Sequence, residues 1–231
     1  SFPGGLQLPR SSRSEPQHFE QIPAPETLYL PMRQHKGASC NPLFKKDTHV
    51  QQGQILGQSS ETSIQSPVSG AITEVNKSFR HFDGSLTTSL TLAVSGEADQ
   101  AQPPAGREAV MDKILDYGLL DSGSALPLSS KLIRSQNHGI RTLIVNSLDE
   151  FFIFGSRAAL LTHHTQRVVE GIQLLQRILQ PDVTYLAVYE KVFPLLDKAA
   201  AIPETVRVVP LAAKHPQHRD PLLVSALTGQ E

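Results

Sequence analysis

The chain has 231 residues, of which 39% are hydrophobic and 19% charged, and its formal net charge is −1. This balance is typical of a globular protein and excludes the strongly basic surface that nucleic-acid binding requires. Cys40 is the single cysteine, so these residues contain no internal disulfide framework and no cysteine-ligated iron–sulfur cluster. The histidines lack the spacing of a metal site. The apolar run 151–154 is too short to span a bilayer, so we expect no direct membrane insertion.

The first part of the chain has the pattern of a small β domain. Residues 26–32 and 86–94 alternate in the manner of strands. Between residues 41 and 75, short alternating segments are interrupted by glycine and proline, which favours a barrel or sandwich of short strands. The polar segment 96–107, rich in proline and glycine, indicates a linker. We therefore predict one domain over residues 1–97.

The second part, residues 108–231, alternates helix and strand patterns. Strands alternating with helices favour a parallel α/β sheet. The helical periodicity of 156–180 predicts one long helix, capped by Ser156 and ended before Pro181. The remaining predicted elements are a helix that stops at Gly118, strands at 141–147, 183–189 and 206–211, and helices at 191–201 and 220–229.

The middle of the first domain resembles the biotinyl/lipoyl barrel-sandwich family. The resemblance rests on "THVQQGQIL" followed by "IQSPVSGAITEV". Carrier proteins of that family present a lysine on the connecting hairpin, but the equivalent residues 57–65 contain none. A swinging-arm carrier is therefore disfavoured, and we expect a docking or packing module.

The sequence contains "FPGGLQLP" at residues 2–9 and "PVSGAITEV" at residues 67–75. Together with residues 28–58, these motifs resemble the RnfC family, whose members belong to the Rnf electron-transport complex. The family shows a similar "FPGG" opening, a "QH-GA-PL-K-GD-V-GQ-IG" run and a "P-SG-V" turn in the same order. The resemblance implies an N-terminal barrel-sandwich hybrid domain, followed by an α/β domain that resembles the FMN- and NADH-binding domain of complex I. It also implies NADH oxidation through a flavin, and iron–sulfur clusters in a further region that these residues do not include. The matching segments are 2–9, 28–58, 67–75, 170–179 and 215–229.

The cofactor loops of the family are altered here. The family loop "GLGGAGFPTHVKL" corresponds to "LDSGSALPLSSKL", residues 120–132. Gly123, Pro127 and Lys131 are kept, and Asp121 introduces a negative charge. A phosphate needs close approach to glycine backbone and free amides. The three family glycines are replaced by Leu120, Ser122 and Ala125, and the family phenylalanine by Leu126.

The other two loops show the same mixture of kept and lost residues. The family's "NGAECEPYLTADDR" corresponds to 146–159, where Asn146 is kept, Asp149 stands at the first acidic position and Phe151 replaces the second acid. The family's "YPQGGEKQ" corresponds to 215–222, where Asp220 keeps the acid. The resemblance thus implies cofactor contacts at Gly123, Lys131, Asn146, Asp149 and Asp220, which we interpret as vestigial. We identify no catalytic residue and expect Asp149 to lie in an exposed turn.

The interpretation is an RnfC-like subunit that has lost or altered FMN and NADH binding and has a structural or assembly role. Its partners would be the other subunits of a membrane electron-transport complex, with the chain cytoplasmic and peripheral to the inner membrane of a bacterium. One alternative is an active NADH-oxidising flavoprotein with an atypical site using Lys131, Arg157 and Arg219. Another is a stand-alone protein-interaction module.

Overall fold

The structure is a computed structural model that describes residues 4–7, 20, 22–23, 25–81, 83–95, 107–149, 155–199 and 202–229. The chain divides into two compact units, one of Ile22–His138 and one of Ser1–Gln21 together with Gly139–Glu231. The elements in chain order are β1 (Thr27–Pro31), β2 (Asn41–Pro42), β3 (His49–Val50), β4 (Ile55–Gln58), β5 (Ser63–Gln65), β6 (Gly70–Arg80), β7 (Leu86–Val94), α1 (Arg107–Asp116), α2 (Leu128–Asn137), β8 (Thr142–Asn146), α3 (Ser156–His163), α4 (Thr165–Leu179), β9 (Val183–Tyr189), α5 (Phe193–Ala199), β10 (Val206–Leu211) and α6 (Asp220–Thr228).

The unit of residues 22–138 is built on two antiparallel sheets. One has the strand order β1-β7-β6-β3 and the other β2-β4-β5. Leu30 and Leu90 from the first sheet and Leu56 from the second belong to the same buried cluster. Because both sheets contribute apolar side chains to one core, the arrangement is a sandwich, and the predicted β-sandwich character of this part of the chain is confirmed.

This unit also includes α1 and α2, which the sequence assigned to the second domain. The Ser63 hydroxyl, on β5, donates to the main-chain oxygen of Leu115 at 2.8 Å and to that of Asp116 at 2.5 Å. Gly118 has φ +59°, and a Cβ there would overlap the Ser63 carbonyl oxygen. The end of α1 is thus bound to the β4–β5 hairpin. The boundary between the compact units therefore differs from the sequence boundary at residues 97 and 108.

The other unit contains the parallel sheet that the sequence predicted. Its strand order is β10-β9-β8, with β9 paired in parallel to both neighbours. Leu186 and Val188 of β9 are fully buried in a cluster that also contains Leu161 of α3 and Ile172 of α4. The carboxyl ends of all three strands lie at one edge, because parallel strands run in the same direction.

The predicted single helix over 156–180 is wrong, since the segment forms α3 and α4. His164 leaves the helical conformation, with φ −128° and ψ 36°. The break allows Leu161 before it and Ile172 after it to be buried in the same core. Ser156 is also not the cap, because the N-cap is Gly155, which adopts the left-handed conformation with φ 53°.

Candidate functional site

The loop that corresponds to the family's first cofactor loop, residues 120–132, is organised around the carboxylate of Asp121. Ser124 donates to Asp121 Oδ2 from its main-chain nitrogen at 3.1 Å and from its hydroxyl at 2.6 Å. The Lys131 ammonium lies 3.2 Å from the same oxygen. An amide, a hydroxyl and a cation of this chain therefore converge on a carboxylate of the same loop.

The main chain of this loop is also closed on itself. The amide of Asp121 donates to the oxygen of Leu126 at 2.9 Å, and the amide of Ala125 donates to the oxygen of Asp121 at 2.8 Å. The amide of Leu128 donates to the oxygen of Leu119 at 2.8 Å. These hydrogen bonds close a tight turn, in which the amides of Asp121, Ala125 and Leu128 donate to carbonyl oxygens of the same segment.

Ala125 keeps a backbone conformation that favours glycine. Its φ is +57°, in the left-handed region that a side chain disfavours. The resemblance places a family glycine at this position. The loop thus keeps the left-handed main-chain conformation that suits glycine, although the residue here is alanine. The neighbouring sequence does not predict this strained conformation.

The charge of Asp121 is stabilised by its neighbours. Burial acts to raise the pKa of Asp121, but the hydrogen bonds from Ser124 and the positive charge of Lys131 outweigh it and hold the pKa below its usual range. Asp121 is therefore ionised at neutral pH, and its carboxylate is the negative charge that Ser124 and Lys131 contact.

Of the predicted site residues in this loop, Gly123 is exposed in a turn and Lys131 is half-exposed on α2. Gly123 is not among the glycines with positive φ, so this backbone does not require a glycine there. Lys131 forms the ion pair with Asp121. The loop places Lys131 against a carboxylate rather than free to contact a phosphate.

The barrel hairpin and the β1–β2 loop hold this segment in place. Ser129, in the first turn of α2, donates its hydroxyl to the main-chain oxygen of Glu61 at 2.8 Å. The amide of Lys36 donates to the oxygen of Ala125 at 3.0 Å. The hairpin that presents a lysine in carrier proteins is here a binding surface for the α1–α2 segment.

In the other unit, Asn146 lies at the carboxyl end of β8, the edge at which open α/β sheets bind ligands. Its Nδ2 donates to the main-chain oxygen of His218 at 2.8 Å, and its Oδ1 accepts from the amide of Leu148 at 3.1 Å. Both ends of the amide are used to join the loop after β8 to the loop after β10. Asn146 thus fixes the shape of this edge.

Asp149 is buried, at 5% exposure, so the expected exposed turn is wrong. Its carboxylate accepts from the amide of Arg157 at 2.9 Å, the amide of Ala158 at 3.4 Å and the hydroxyl of Ser156 at 3.3 Å. These groups form the first turn of α3, where unpaired amides and the helix dipole favour an anion. Asp149 therefore caps α3 from the preceding loop, and burial follows because the cap lies between loop and helix.

Two cations of the alternative nucleotide site, Lys131 and Arg157, contact other groups of the chain. The Arg157 guanidinium donates to the main-chain oxygen of Leu148 at 2.7 Å. Arg219 is the exposed N-cap residue of α6, and Asp220 is the exposed first residue of that helix, followed by Pro221. Asp220 is a favourable first-turn acid. Phe151 and the rest of 150–154 lie outside the described residues.

Sequence reasoning missed Gln217, which follows β10 at the same edge. Its side chain is fully buried, and neither its Nε2 nor its Oε1 has a hydrogen-bond partner within the described parts of the chain. The family loop "YPQGGEKQ" carries a glutamine at the matching position, and that match was the available signal. Burying a side-chain amide without a hydrogen-bond partner lowers the stability of the folded state.

The groups present do not fit the phosphate contacts that the resemblance implies for FMN and NADH. A bound phosphate needs amides at a loop or helix N-terminus, and a cation, that are free to meet it. In one unit such groups contact Asp121, and in the other the first turn of α3 contacts Asp149. A second anion at either position would face a carboxylate.

Neither a metal centre nor a membrane-spanning helix occurs among the described residues. In those ranges, no cluster of three or more histidine, cysteine, aspartate or glutamate side chains has the geometry to hold a metal ion. None of the helices in the same ranges has the length and apolar character needed to cross a membrane.

The chain is similar to known proteins of the RnfC family. Residues 1–97 match the family model of the RnfC barrel sandwich hybrid domain. The whole chain aligns at 24% identity with 54% of the C subunit of the proton-translocating ferredoxin:NAD(+) oxidoreductase complex of Clostridium ljungdahlii. It aligns over its whole length at 26% identity with 32% of the C subunit of the ion-translocating oxidoreductase complex of Klebsiella pneumoniae, and equally with that of Pseudomonas aeruginosa. The chain thus spans between a third and about half of these relatives, and its residues 1–97 match the RnfC barrel sandwich hybrid domain.

Proposed function

We propose that this chain is an RnfC-like subunit of a membrane-associated electron-transport complex with a structural or assembly role, and that it has lost FMN and NADH binding of the family type. Its partners are the other subunits of that complex, and its place is peripheral, on the cytoplasmic side of a bacterial inner membrane. The relatives' names as subunits of ion-translocating oxidoreductase complexes support the partners.

The observation that carries the loss of cofactor binding is the position of Asp121. Its carboxylate accepts the amide and hydroxyl of Ser124 and pairs with Lys131. Removing a phosphate from water is favourable only when fixed donors replace its hydration. Here those donors already have an ionised partner, and the like charge would repel the phosphate.

The decisive experiment is a titration of the purified chain with FMN and NADH, in which binding is measured by flavin fluorescence and by equilibrium dialysis. We expect no saturable binding below about 1 mM, a free energy weaker than about −4 kcal/mol. The full-length Clostridium ljungdahlii relative, named as a subunit of a ferredoxin:NAD(+) oxidoreductase complex, is titrated in parallel for comparison. Stoichiometric binding at micromolar concentration by the wild-type chain would refute the loss of the site and favour the alternative, an active flavoprotein with an atypical site.

A restored loop tests the cause. The combined substitutions Leu120→Gly, Asp121→Leu, Ser122→Gly and Ala125→Gly introduce the family's residues. If the loop is responsible for the loss, this variant gains FMN affinity over the wild type. If the variant gains no FMN affinity, the residues at 120, 121, 122 and 125 are not by themselves the cause of the loss.

The assembly role has a separate test. The chain is co-expressed with the membrane subunits of an Rnf-type complex, and the complex is extracted in detergent. We expect the chain to be retained with those subunits. Its release in every detergent that keeps the other subunits together would favour a stand-alone interaction module.

A further inference from the structure

His35 is a buried histidine that the proposed function does not use. It lies in the loop between β1 and β2, within the "QHKGAS" segment, and is 7% exposed. Its Nε2 has no hydrogen-bond partner among the residues that the structure describes. A buried imidazole nitrogen without a partner favours the neutral ring, because a proton there would bring an unpaired donor and a charge into the interior.

The imidazole is enclosed by its own loop and approached by the β4–β5 hairpin. A Cβ on Gly37 would lie 3.1 Å from the ring atoms Cδ2 and Nε2 and 3.8 Å from the Oε2 of Glu61. The charged groups that act on the ring are Glu61, from the hairpin, and Arg33, from its own loop. Arg33 is itself bound to Asp83 and to the hydroxyl of Ser85.

Both neighbours of the ring also hold the α1–α2 segment. The amide of Lys36, next to His35, donates to the main-chain oxygen of Ala125 at 3.0 Å. The main-chain oxygen of Glu61 accepts the hydroxyl of Ser129 at 2.8 Å. Within the α1–α2 segment, the charged side chains of Asp121 and Lys131 pair with each other. A shift of the β1–β2 loop would therefore first break the Lys36–Ala125 hydrogen bond.

The protonation of His35 opposes folding. Burial lowers its pKa from the ordinary histidine value of 6.5, with Arg33 adding to the effect and Glu61 opposing it. The folded unit therefore binds this proton less readily than the unfolded chain does. The resulting stability is complete above the unfolded pKa and is lost as the pH falls from there through the folded pKa. The protonated ring can find an acceptor only by moving toward Glu61 or toward solvent.

We propose that the loop 33–37 is an acid-sensitive latch, which holds the turn around Ala125 through the Lys36 amide and loosens that turn when His35 is protonated. The proposal concerns the mobility of that turn and does not depend on whether the chain binds FMN or NADH.

The test is hydrogen exchange of residues 119–128 between pH 7.5 and 5.5, corrected for the intrinsic pH dependence of exchange. We expect the protection of the wild type to fall as the pH drops below 6.5, by at most about tenfold per pH unit, which is the limit for one linked proton. His35→Gln should show a much flatter dependence. His49→Gln is the matched control, because His49 is an exposed histidine of the same unit, and it should behave as the wild type does.

A second measurement needs no substitution. An NMR titration of the wild type follows the His35 ring together with the amides of residues 124–126, and the latch requires them to change at one common pH below 6.5. Equal pH dependence of exchange in wild type and His35→Gln would overturn the proposal. So would a His35 ring that titrates without any change at those amides.

Discussion

Gly118 offers a direct test of how the β4–β5 hairpin holds the α1–α2 segment. The residue follows α1, has φ +59°, and its main chain packs against the carbonyl of Ser63. In Gly118→Ala, the new methyl group would overlap the Ser63 carbonyl oxygen and approach the Thr62 hydroxyl to 3.3 Å. Because the obstacle is backbone, it cannot be relieved by a side-chain rotation.

The expected cost has two parts. The left-handed conformation costs an alanine roughly 1–2 kcal/mol relative to glycine. The displacement needed to relieve the overlap also breaks the hydrogen bond from the Ser63 hydroxyl to Leu115, which is worth about 1 kcal/mol. We therefore expect Gly118→Ala to lower the free energy of unfolding by roughly 2–3 kcal/mol.

Urea unfolding followed by far-UV circular dichroism measures this change. Gly53→Ala is the matched control, since Gly53 has φ +77° in the same unit and no atom lies within 4 Å of its Cβ position. The control should lose only the conformational part, roughly 1–2 kcal/mol, with an unchanged dependence on urea. If Gly118→Ala costs no more than Gly53→Ala, the contact with Ser63 does not hold the segment and the argument fails.

Three further predictions concern the other unit. Asp149→Ala should lower the free energy of unfolding by about 1–2 kcal/mol, because α3 loses its cap. Asp220→Ala, at the exposed start of α6, should lower it by roughly 0.5 kcal/mol. Equal losses of stability in the two variants would contradict the capping role of Asp149. Gln217→Met should raise the free energy of unfolding by about 1–2 kcal/mol, since it removes a buried amide without partners, and a loss of stability would show that the amide is paired. Arg141→Ala should leave the urea midpoint unchanged, because Arg141 and Asp182 form their ion pair with both side chains 64% exposed, and a clear shift would refute this.

Periodicity was sufficient to predict most of the elements. The alternation in 86–94 and the apolar run of 183–189 correspond to β7 and β9 with the same bounds. Burial imposes a period of two on a strand and a period near 3.6 on a helix, and that period is visible in a single segment. The helix break at His164 was not visible in a single segment, because it depends on how α3 and α4 share one core.

The candidate site shows the limits of local information. The motifs located the three loops and named Asn146, Asp149 and Lys131, all of which make defined contacts. Their partners were not predictable, because a polar side chain is satisfied by whichever group folding brings near. Asn146 bonds to His218, 72 positions away in sequence.

The sequence by itself determined the resemblance to the RnfC family, the β and α/β character of the two parts and the position of the altered loops. These properties are encoded by hydrophobic period, turn residues and motif order along short stretches. Tertiary structure alone decided that Asp121 is bound by Ser124 and Lys131, that Asp149 caps α3, and that the α1–α2 segment belongs to the barrel unit. Each of these depends on the pairing of charges and hydrogen bonds in space, which composition and spacing do not specify.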